Sequence, residues 1–477
     1  MRRFARWWTI GMVATVAVCT IAGGVIVYLA GRTPSKSVPV FHRGAWQPPA
    51  QKVLASPMRQ QPVPGWRTHV EDLNLPESSI FGTSDNSAQS DPFVGAVNSN
   101  SYFLTSSPRV PDRQWWLVGL DVHTGKQLFS PVSIDAGSRF PHCFVNGPQF
   151  VLCLADAVHG ETTETTAWVI DAHTGEVVFD GPSELHTTPG SGVQVDQAGI
   201  YAVAQIRGEG LYGIGPHAET TWLVPHTAMV SSRISVSAID TAPPTLAAAQ
   251  DTTPGSDGMV VFSLADGKVM RPDLGNGNIP GSAVVYPGGF AMEIIADTEY
   301  STPRSVAFFD DGGNRVAETK VSGSLSPFSM SLPIVEDVPV STVFGANGAG
   351  LVQLLDRELT QNAVFVGPRL YAPESNWEGP VKVRKWRQFD LTTGAEGNTC
   401  QTNMSGYLAN DGSVGLFETV RYEVTGATTF AMDLATCQKL WSVPVSPDSY
   451  HRLWRINDTL AELSDDGKEL HSLVAPG

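Results

Sequence analysis

The residues of this 477-residue chain whose types and spacing could do chemistry are a pair of matched histidines, four cysteines and a few acidic turns. His123 and His173 stand in near-identical stretches, LDVHTGKQLF from Leu120 and IDAHTGEVVF from Ile170. Two imidazoles on one rim would titrate near neutrality and could share a ligand or a metal ion. A turn position that simply tolerates polar residues explains them more economically. DDGGN at Asp310 and SDDG at Ser464 offer oxygen ligands for calcium, yet neither has the roughly twelve-residue loop with its closing glutamate. GNGNIPG at Gly275 imitates a phosphate loop, but Pro280 stands where a helix would have to begin. Trp115 and Trp116 fit strand and interblade packing better than a sugar platform. No Gly-x-Ser-x-Gly elbow, His-Glu-x-x-His or P-loop occurs, so no catalytic residue and no metal ligand is assigned.

A deeper order holds these residues in place. Aligned on the glycine of the two matched stretches, a turn recurs at Gly125, Gly175, Gly267, Gly313, Gly394 and Gly467, with Cys437 in the glycine's place in MDLATCQKLW. The successive spacings are 50, 92, 46, 81, 43 and 30. Ninety-two is twice 46, which places a degraded copy near residue 221, in TTWLVPHT. The gap of 81 reads as one copy with a long insertion between Tyr371 and Trp386, where prolines replace alternation. Each unit has a physical logic. An apolar strand ends in an aspartate (Asp121, Asp171, Asp390, Asp433) whose side chain caps the turn, and glycine supplies the positive φ.

Short alternating runs punctuated by Gly, Pro, Asn and Asp make the chain all-β. A four-stranded sheet of about 45 residues cannot bury both faces alone, so the copies pack face to face in a ring, a β-propeller of four-stranded blades. Turns near 125, 175, 221, 267, 313, 394 and 437 give seven units. The tail from Arg452 adds three strands, and a strand near Gly65 supplies its fourth, giving eight blades with seven as the alternative.

The pattern apolar-Asp-x-x-Thr-Gly-x-x-x-aromatic resembles the repeat of the pyrroloquinoline-quinone-like, or quinoprotein-dehydrogenase-like, β-propellers. The resemblance spans roughly residues 80 to 477 and implies a fold rather than an activity. It also implies that the last position docks one blade on the next, through Phe129, Phe179 and Trp441 here, while Arg271 and Asn398 depart from the pattern. The enzymes of that group hold a quinone with calcium and, often, a disulfide between adjacent cysteines. This chain has no Cys-Cys pair, so no cofactor is expected and no cofactor ligand is placed.

Cys143 and Cys153 lie symmetrically about Pro148 in CFVNGPQFVLC, so a hairpin turning at Gly147-Pro148-Gln149 sets the thiols opposite each other. Such a bridge contributes roughly 2 to 3 kcal/mol. By elimination Cys400 pairs with Cys437, although one ends an outer strand and the other sits in a turn, positions toward opposite faces. Two disulfides imply an oxidising compartment, and no Cys-x-x-Cys spacing supports a metal site.

The amino terminus agrees with that compartment. Residues 1–8 carry Arg2, Arg3 and Arg6, and residues 9–30 form an uncharged run long enough, at roughly 33 Å, to cross a bilayer as a helix. A cleaved signal peptide would have a shorter apolar region and a small-x-small site, which Tyr28-Leu29-Ala30 does not provide. Val18 before Cys19 argues against a lipoprotein signal. The positive-inside rule then leaves the amino terminus in the cytoplasm and the remainder outside the cytoplasmic membrane of a bacterium. Residues 31–65 read as a Pro-rich tether with a reach on the order of 100 Å, and residues 66–477 as the propeller. Nine of the 31 basic residues and none of the 47 acidic ones fall before Glu71, which leaves 22 against 47, a net of −25. So acidic a domain repels nucleic acid and anionic headgroups. The expected function is a non-catalytic binding or scaffolding module whose partner is an envelope or membrane protein. A sensor of a small cell-wall or sugar ligand is the alternative, and a quinone-dependent oxidoreductase the least favoured reading.

Overall fold

The computed structural model describes residues 46–83, 91–107, 113–159, 162–187, 193–230, 240–253, 258–296, 303–326, 331–337, 340–355, 363–374, 385–404, 406–419, 428–444 and 452–477. Among these the strands form nine sheets, one more than the larger expected count. Seven have four strands, and two gain a short fifth, Ile80–Phe81 in the first blade and Leu185–His186 in the third. In chain order the blades span residues 93–134, 142–183, 193–225, 227–270, 278–320, 324–355, 364–400, 407–444 and 452–474.

The ninth blade is closed by the other end of the chain. Val63–His69 lies antiparallel to Glu469–Val474, with Val63 opposite Val474 and His69 opposite Glu469. The sequence places a strand near Gly65 in this role, and it occupies it. The strand begins at Val63, inside the stretch read as linker.

The missing blade lies in the 81-residue gap. There the structure has Ser324–Leu325, Ile334–Glu336, Val340–Phe344 and Gly350–Leu355, a complete sixth blade whose turn glycine is Gly348. The stretch read as an insertion belongs to the seventh blade. Arg369–Pro373 pairs with Trp386–Asp390, Tyr371 opposite Gln388 and Pro373 opposite Trp386, and residues 375–384 between them lie outside the described residues. The degraded copy near 221 is the third blade, where Ala218 takes the turn position at φ +55° and Thr220–Pro225 is the strand that follows. Gly467 belongs to a different class. It joins the second and third strands of its blade rather than the third and fourth, so it lies on the opposite face of the ring, against Ile80 and Phe81.

Hydrophobic burial is shared between blades rather than held within them. One core cluster combines Tyr102, Leu104, Trp115 and Leu117 of the first blade with Val151, Trp168 and Ile170 of the second. Another joins Phe103 and Val118 of the first to Trp454, Ala461 and Leu470 of the ninth. Fourth strands such as Val177–Ser183 and Arg315–Lys320 are largely exposed, as expected of the outer rim. Each blade buries its faces chiefly against its neighbours, so the stability of the ring is held in the interfaces between blades.

Candidate functional site

Third-to-fourth strand turns build one face of the ring. In each aspartate turn a carboxylate oxygen takes up the backbone donors that the turn leaves unpaired. Asp121 Oδ1 accepts from Thr124 N (2.9 Å) and Thr124 Oγ1 (2.7 Å), and Asp171 Oδ1 accepts from His173 N (2.9 Å) and Thr174 N (2.8 Å). Asp390 caps Thr392 and Thr393, and Asp433 caps Ala435 and Thr436, in the same way. The bond from Thr436 N, helped by its hydroxyl, by Ala435 and by Arg59, holds the Asp433 carboxyl below the usual carboxylate range against the opposing effect of burial. His123 is engaged separately. Its Nε2 lies 2.9 Å from Asp458 Oδ1 and ties the first blade to the ninth. Among the described residues no group of three or more His, Cys, Asp or Glu is placed to hold a metal ion.

The face is knit together by one repeated contact. In most blades the chain that follows the third-to-fourth turn crosses the turn of the next blade, and the residue that reaches it commonly stands four places after the turn position. Phe129 covers Gly175, and Phe179 packs edge-on to His217 at 6.2 Å. The same position holds Trp222 against Gly267 and Ala317 against Gly348, while Met270 reaches Gly313 from one place earlier. Trp66 on the closing strand covers Gly125 and donates from Nε1 to Val122 O (3.0 Å). Trp441 meets no turn, because the ninth blade is interrupted by the chain ends. Its Nε1 donates instead to Met58 O (2.9 Å) on the segment that precedes the closing strand. Sequence reading singled out Phe129 and Phe179, which reach the neighbouring turns, and Trp441, which does not, and it missed Trp66, Trp222 and Met270.

Glycine at 175 is required twice, for φ +72° and for the ring above it, since a Cβ there would lie 2.4 Å from Phe129. Gly175→Ala is therefore expected to cost about 2–3 kcal/mol, from the left-handed backbone plus displacement of the aromatic ring. A lowered urea midpoint at unchanged m would show it, and a change below about 0.5 kcal/mol would mean that the ring does not dock there.

Both disulfides are present. Cys143 and Cys153 are directly opposed across the hairpin of the second blade. Cys400–Cys437 links the seventh blade to the eighth, and the slant that carries aromatic rings over neighbouring turns also carries Cys400 to Cys437. The opposite-face objection drawn from the sequence fails for that reason. At this junction the bond stands where an aromatic docks elsewhere, and Asn398 at the aromatic position donates to Ala435 O (2.7 Å). Cys437 adopts φ +62°, the conformation of the glycine it replaces.

The same face carries the mouth of the central channel, and two segments cross it. The chain from Trp46 to Gln61 forms a strap. Trp46 packs with Ile334 and Val343 of the sixth blade and Leu370 of the seventh, and Leu54 and Met58 pack among Leu416, Ala431 and Leu460 of the eighth and ninth. Lys52 N donates to Asp240 O (2.5 Å), Leu54 N to Asn410 O (2.7 Å), and Met58 N to Asp411 Oδ2 (2.7 Å). Arg59 pairs with Asp433 Oδ2 at 2.8 Å.

Asp240 lies on the connection between the first two strands of the fourth blade, yet its partners belong to blades eight and nine. Arg455 Nη1 is 2.8 Å from Asp240 Oδ1, with the two side chains 2% and 5% exposed. Tyr407 Oη and Asn410 Nδ2 donate to Asp240 Oδ2, and Arg455 also donates to Lys52 O (3.1 Å). Burial pushes the Asp240 carboxyl above its ordinary range despite Arg455 and these hydrogen bonds. Burial, then the nearby Asp240, pushes the Tyr407 hydroxyl well up. This network spans the ring and seats the strap. Nothing local in the sequence announces it, although an arginine in the apolar strand RLWRI and a long connection ending in Asp-Thr-Ala-Pro-Pro are its traces.

Residues 38–476 match the conjugation-associated 9-bladed β-propeller domain family. A similar curated protein, uncharacterized and from Mycolicibacterium smegmatis (strain MKD8), is 55% identical over 472 residues, covering 99% of this chain and 97% of that one. Solved structures are far more distant. The computationally designed Ika8 protein is 12% identical at TM-score 0.34, covering 74% of this chain and all 100% of that one. Apo AztD from Citrobacter koseri is 12% identical at TM-score 0.32, covering 69% of this chain and 92% of that one. The likeness to pyrroloquinoline-quinone-like repeats holds at the level of propeller architecture. Nine blades closed by the amino-terminal strand, and a match that runs almost end to end, place the chain in the conjugation-associated nine-bladed β-propeller family.

Proposed function

We propose that the protein is a membrane-tethered, extracytoplasmic and non-catalytic scaffold within the envelope machinery of conjugative DNA transfer. The match of residues 38–476 to a family described as conjugation-associated is the observation that carries this reading. The net charge of −25 after residue 70 disfavours direct contact with the transferred DNA, so the partner is protein. Anchoring rests on Arg2, Arg3 and Arg6 before the apolar run from Thr9 to Ala30, which lies outside the described residues. Among the described residues no helix is long and apolar enough to cross a membrane.

The strap shortens the tether. Because Trp46 is packed on the ring, residues 31–45 rather than 31–65 separate that run from the folded domain. Fifteen extended residues reach about 50 Å, half the earlier figure.

The test is crosslinking of the full-length protein in donor-cell membranes, with an anchor-only chain as control, and mating assays with a deletion strain. Recovery of a conjugation-apparatus protein with the propeller alone, and a fall in transfer of at least about tenfold, are expected. Unchanged transfer together with nothing recovered beyond the control would overturn the proposal.

A further inference from the structure

The second blade carries a two-stranded ribbon that outruns its own sheet. Its second and third strands, Phe150–His159 and Thr162–Asp171, have ten residues each, whereas the corresponding strands of the other blades have at most eight. They pair with each other throughout, from Phe150 opposite Asp171 to His159 opposite Thr162. The first strand of the blade accompanies them only as far as Leu154, opposite His142, and the fourth only from Thr165, opposite Ser183. Beyond those points neither edge of the ribbon has a neighbouring strand among the described residues. At about 3.4 Å per residue, the pairs from Ala157–Glu164 to His159–Thr162 carry it roughly 10 Å outward on the face opposite the strap.

The base of the ribbon is fixed. Asp156 Oδ2 accepts from Thr187 N (3.0 Å) and Thr187 Oγ1 (2.9 Å), and Asp156 Oδ1 accepts from Thr165 Oγ1 (2.8 Å). An edge held in this way is ordered before anything binds to it. Lysine, proline and bulges commonly guard a free edge. Residues 155–166 contain no lysine or proline, and their pairing has no bulge, whereas Val177–Ser183 beside them has both Pro182 and a bulge. Val158 is 61% exposed, the most of any large apolar residue described. Glu164, opposite Ala157, is exposed as well. Residues 142–225, which hold the second and third blades, carry ten acidic residues and one basic residue, Arg207.

We propose that this ribbon is a docking strand for a basic, extended segment of a partner protein, which pairs along Thr162–Glu164 as an added strand. A lysine or arginine beside Glu164 meets its carboxylate, and an apolar residue beside Thr163 leans across it onto Val158. A second copy of this chain is the poorer occupant, because it would set one acidic sector against another. The inference rests on the scaffold reading for a partner that is a protein, and adds the chemistry and the place of one contact.

The probe is a fluorescein-labelled hexapeptide, Lys-Val-Arg-Ile-Lys-Val, titrated into the detergent-solubilised full-length protein and followed by anisotropy. One control replaces each cation by glutamate. A second keeps the charges but is N-methylated at its backbone amides, so it cannot pair as a strand. Saturable binding with Kd on the order of 10–100 μM is expected, and both controls should bind at least about tenfold more weakly. Glu164→Lys should weaken binding at least about tenfold and Val158→Ser about threefold. Glu176→Lys makes the same charge change on the strap face of the same blade and should weaken it by about twofold at most. Thermal melts first establish that the variants fold, and if Glu164→Lys does not, Glu164→Gln replaces it with an expected loss of about threefold. No saturable binding, equal binding of the N-methylated peptide, or equal losses in the Glu164 and Glu176 variants would overturn the proposal. A conjugation-apparatus protein still crosslinked in donor membranes after such a result would leave the scaffold reading standing without this contact.

Discussion

Arg455→Ala is expected to lower the stability of the propeller by about 3–5 kcal/mol, because it strands a buried carboxylate rather than merely deleting a contact. Asp240 is 6% exposed, and the remaining donors to its side chain, Tyr407 and Asn410, are neutral. The loss should depend on pH in a direction that can be worked out. Without Arg455 the folded-state pKa of Asp240 lies further above its unfolded value, so the native state binds the proton more tightly than the unfolded chain does. Stability of the variant relative to the parent therefore recovers as pH falls toward 3.8, the ordinary value of the group, and worsens as pH rises through the folded pKa. Equilibrium unfolding of both proteins across that window measures the difference and cancels Asp171, Asp390 and Asp433, whose depressed pKa values destabilise both proteins alike in acid. Adding Asp240→Asn should return much of the loss, since a neutral amide needs no counter-charge. A deficit that is flat in pH, or a double variant no better than the single, would show that the pair does not brace the ring.

Replacing Cys400 and Cys437 together by serine is expected to cost about 3–4 kcal/mol on the chain-entropy view of a bridge that closes a loop of 37 residues. The position adds to the consequence. Most other junctions on this face hold an aromatic, a methionine or an alanine over a glycine, whereas this one has the covalent bond and the Asn398 hydrogen bond. Hydrogen exchange in the bridge-less protein should rise first in the outer strands Glu396–Cys400 and Lys439–Pro444. Cys143→Ser with Cys153→Ser, confined to one hairpin, should leave those strands protected. Equal exchange in both double variants would contradict the assignment of Cys400–Cys437 as the fastening of that junction.

The fold could be read where a turn keeps its chemistry and was lost where the chemistry changed. Asp121 to Gly125 and Asp171 to Gly175 are legible because a carboxylate cap and a glycine are separately required. In the third blade Ala218 adopts the positive φ without being glycine, so the turn was placed near 221 and the docking role of Trp222, four residues on, went unseen. The sixth blade turns at Gly345-Ala-Asn-Gly348, with Asn347 Oδ1 accepting from Ala349 N (3.2 Å) in place of an aspartate cap. Its spacing is compressed to 35 residues after Gly313, and a whole blade was taken for an insertion. The channel mouth had no local signature at all. Asp240 and Arg455 are 215 positions apart, and only ring closure brings them together.

Closure by Val63–His69 also sets an order on the making of the protein. The strand that completes the last blade is the first of the domain to leave the ribosome, and its partner, Glu469–Val474, is nearly the last. Until synthesis ends, the growing arc has two unpaired sheet edges and one unmated apolar face at each end, the features that draw chains into aggregates. A ribosome that stops early leaves an arc without a lock, so premature termination anywhere before residue 469 should yield material for proteases rather than a smaller working ring.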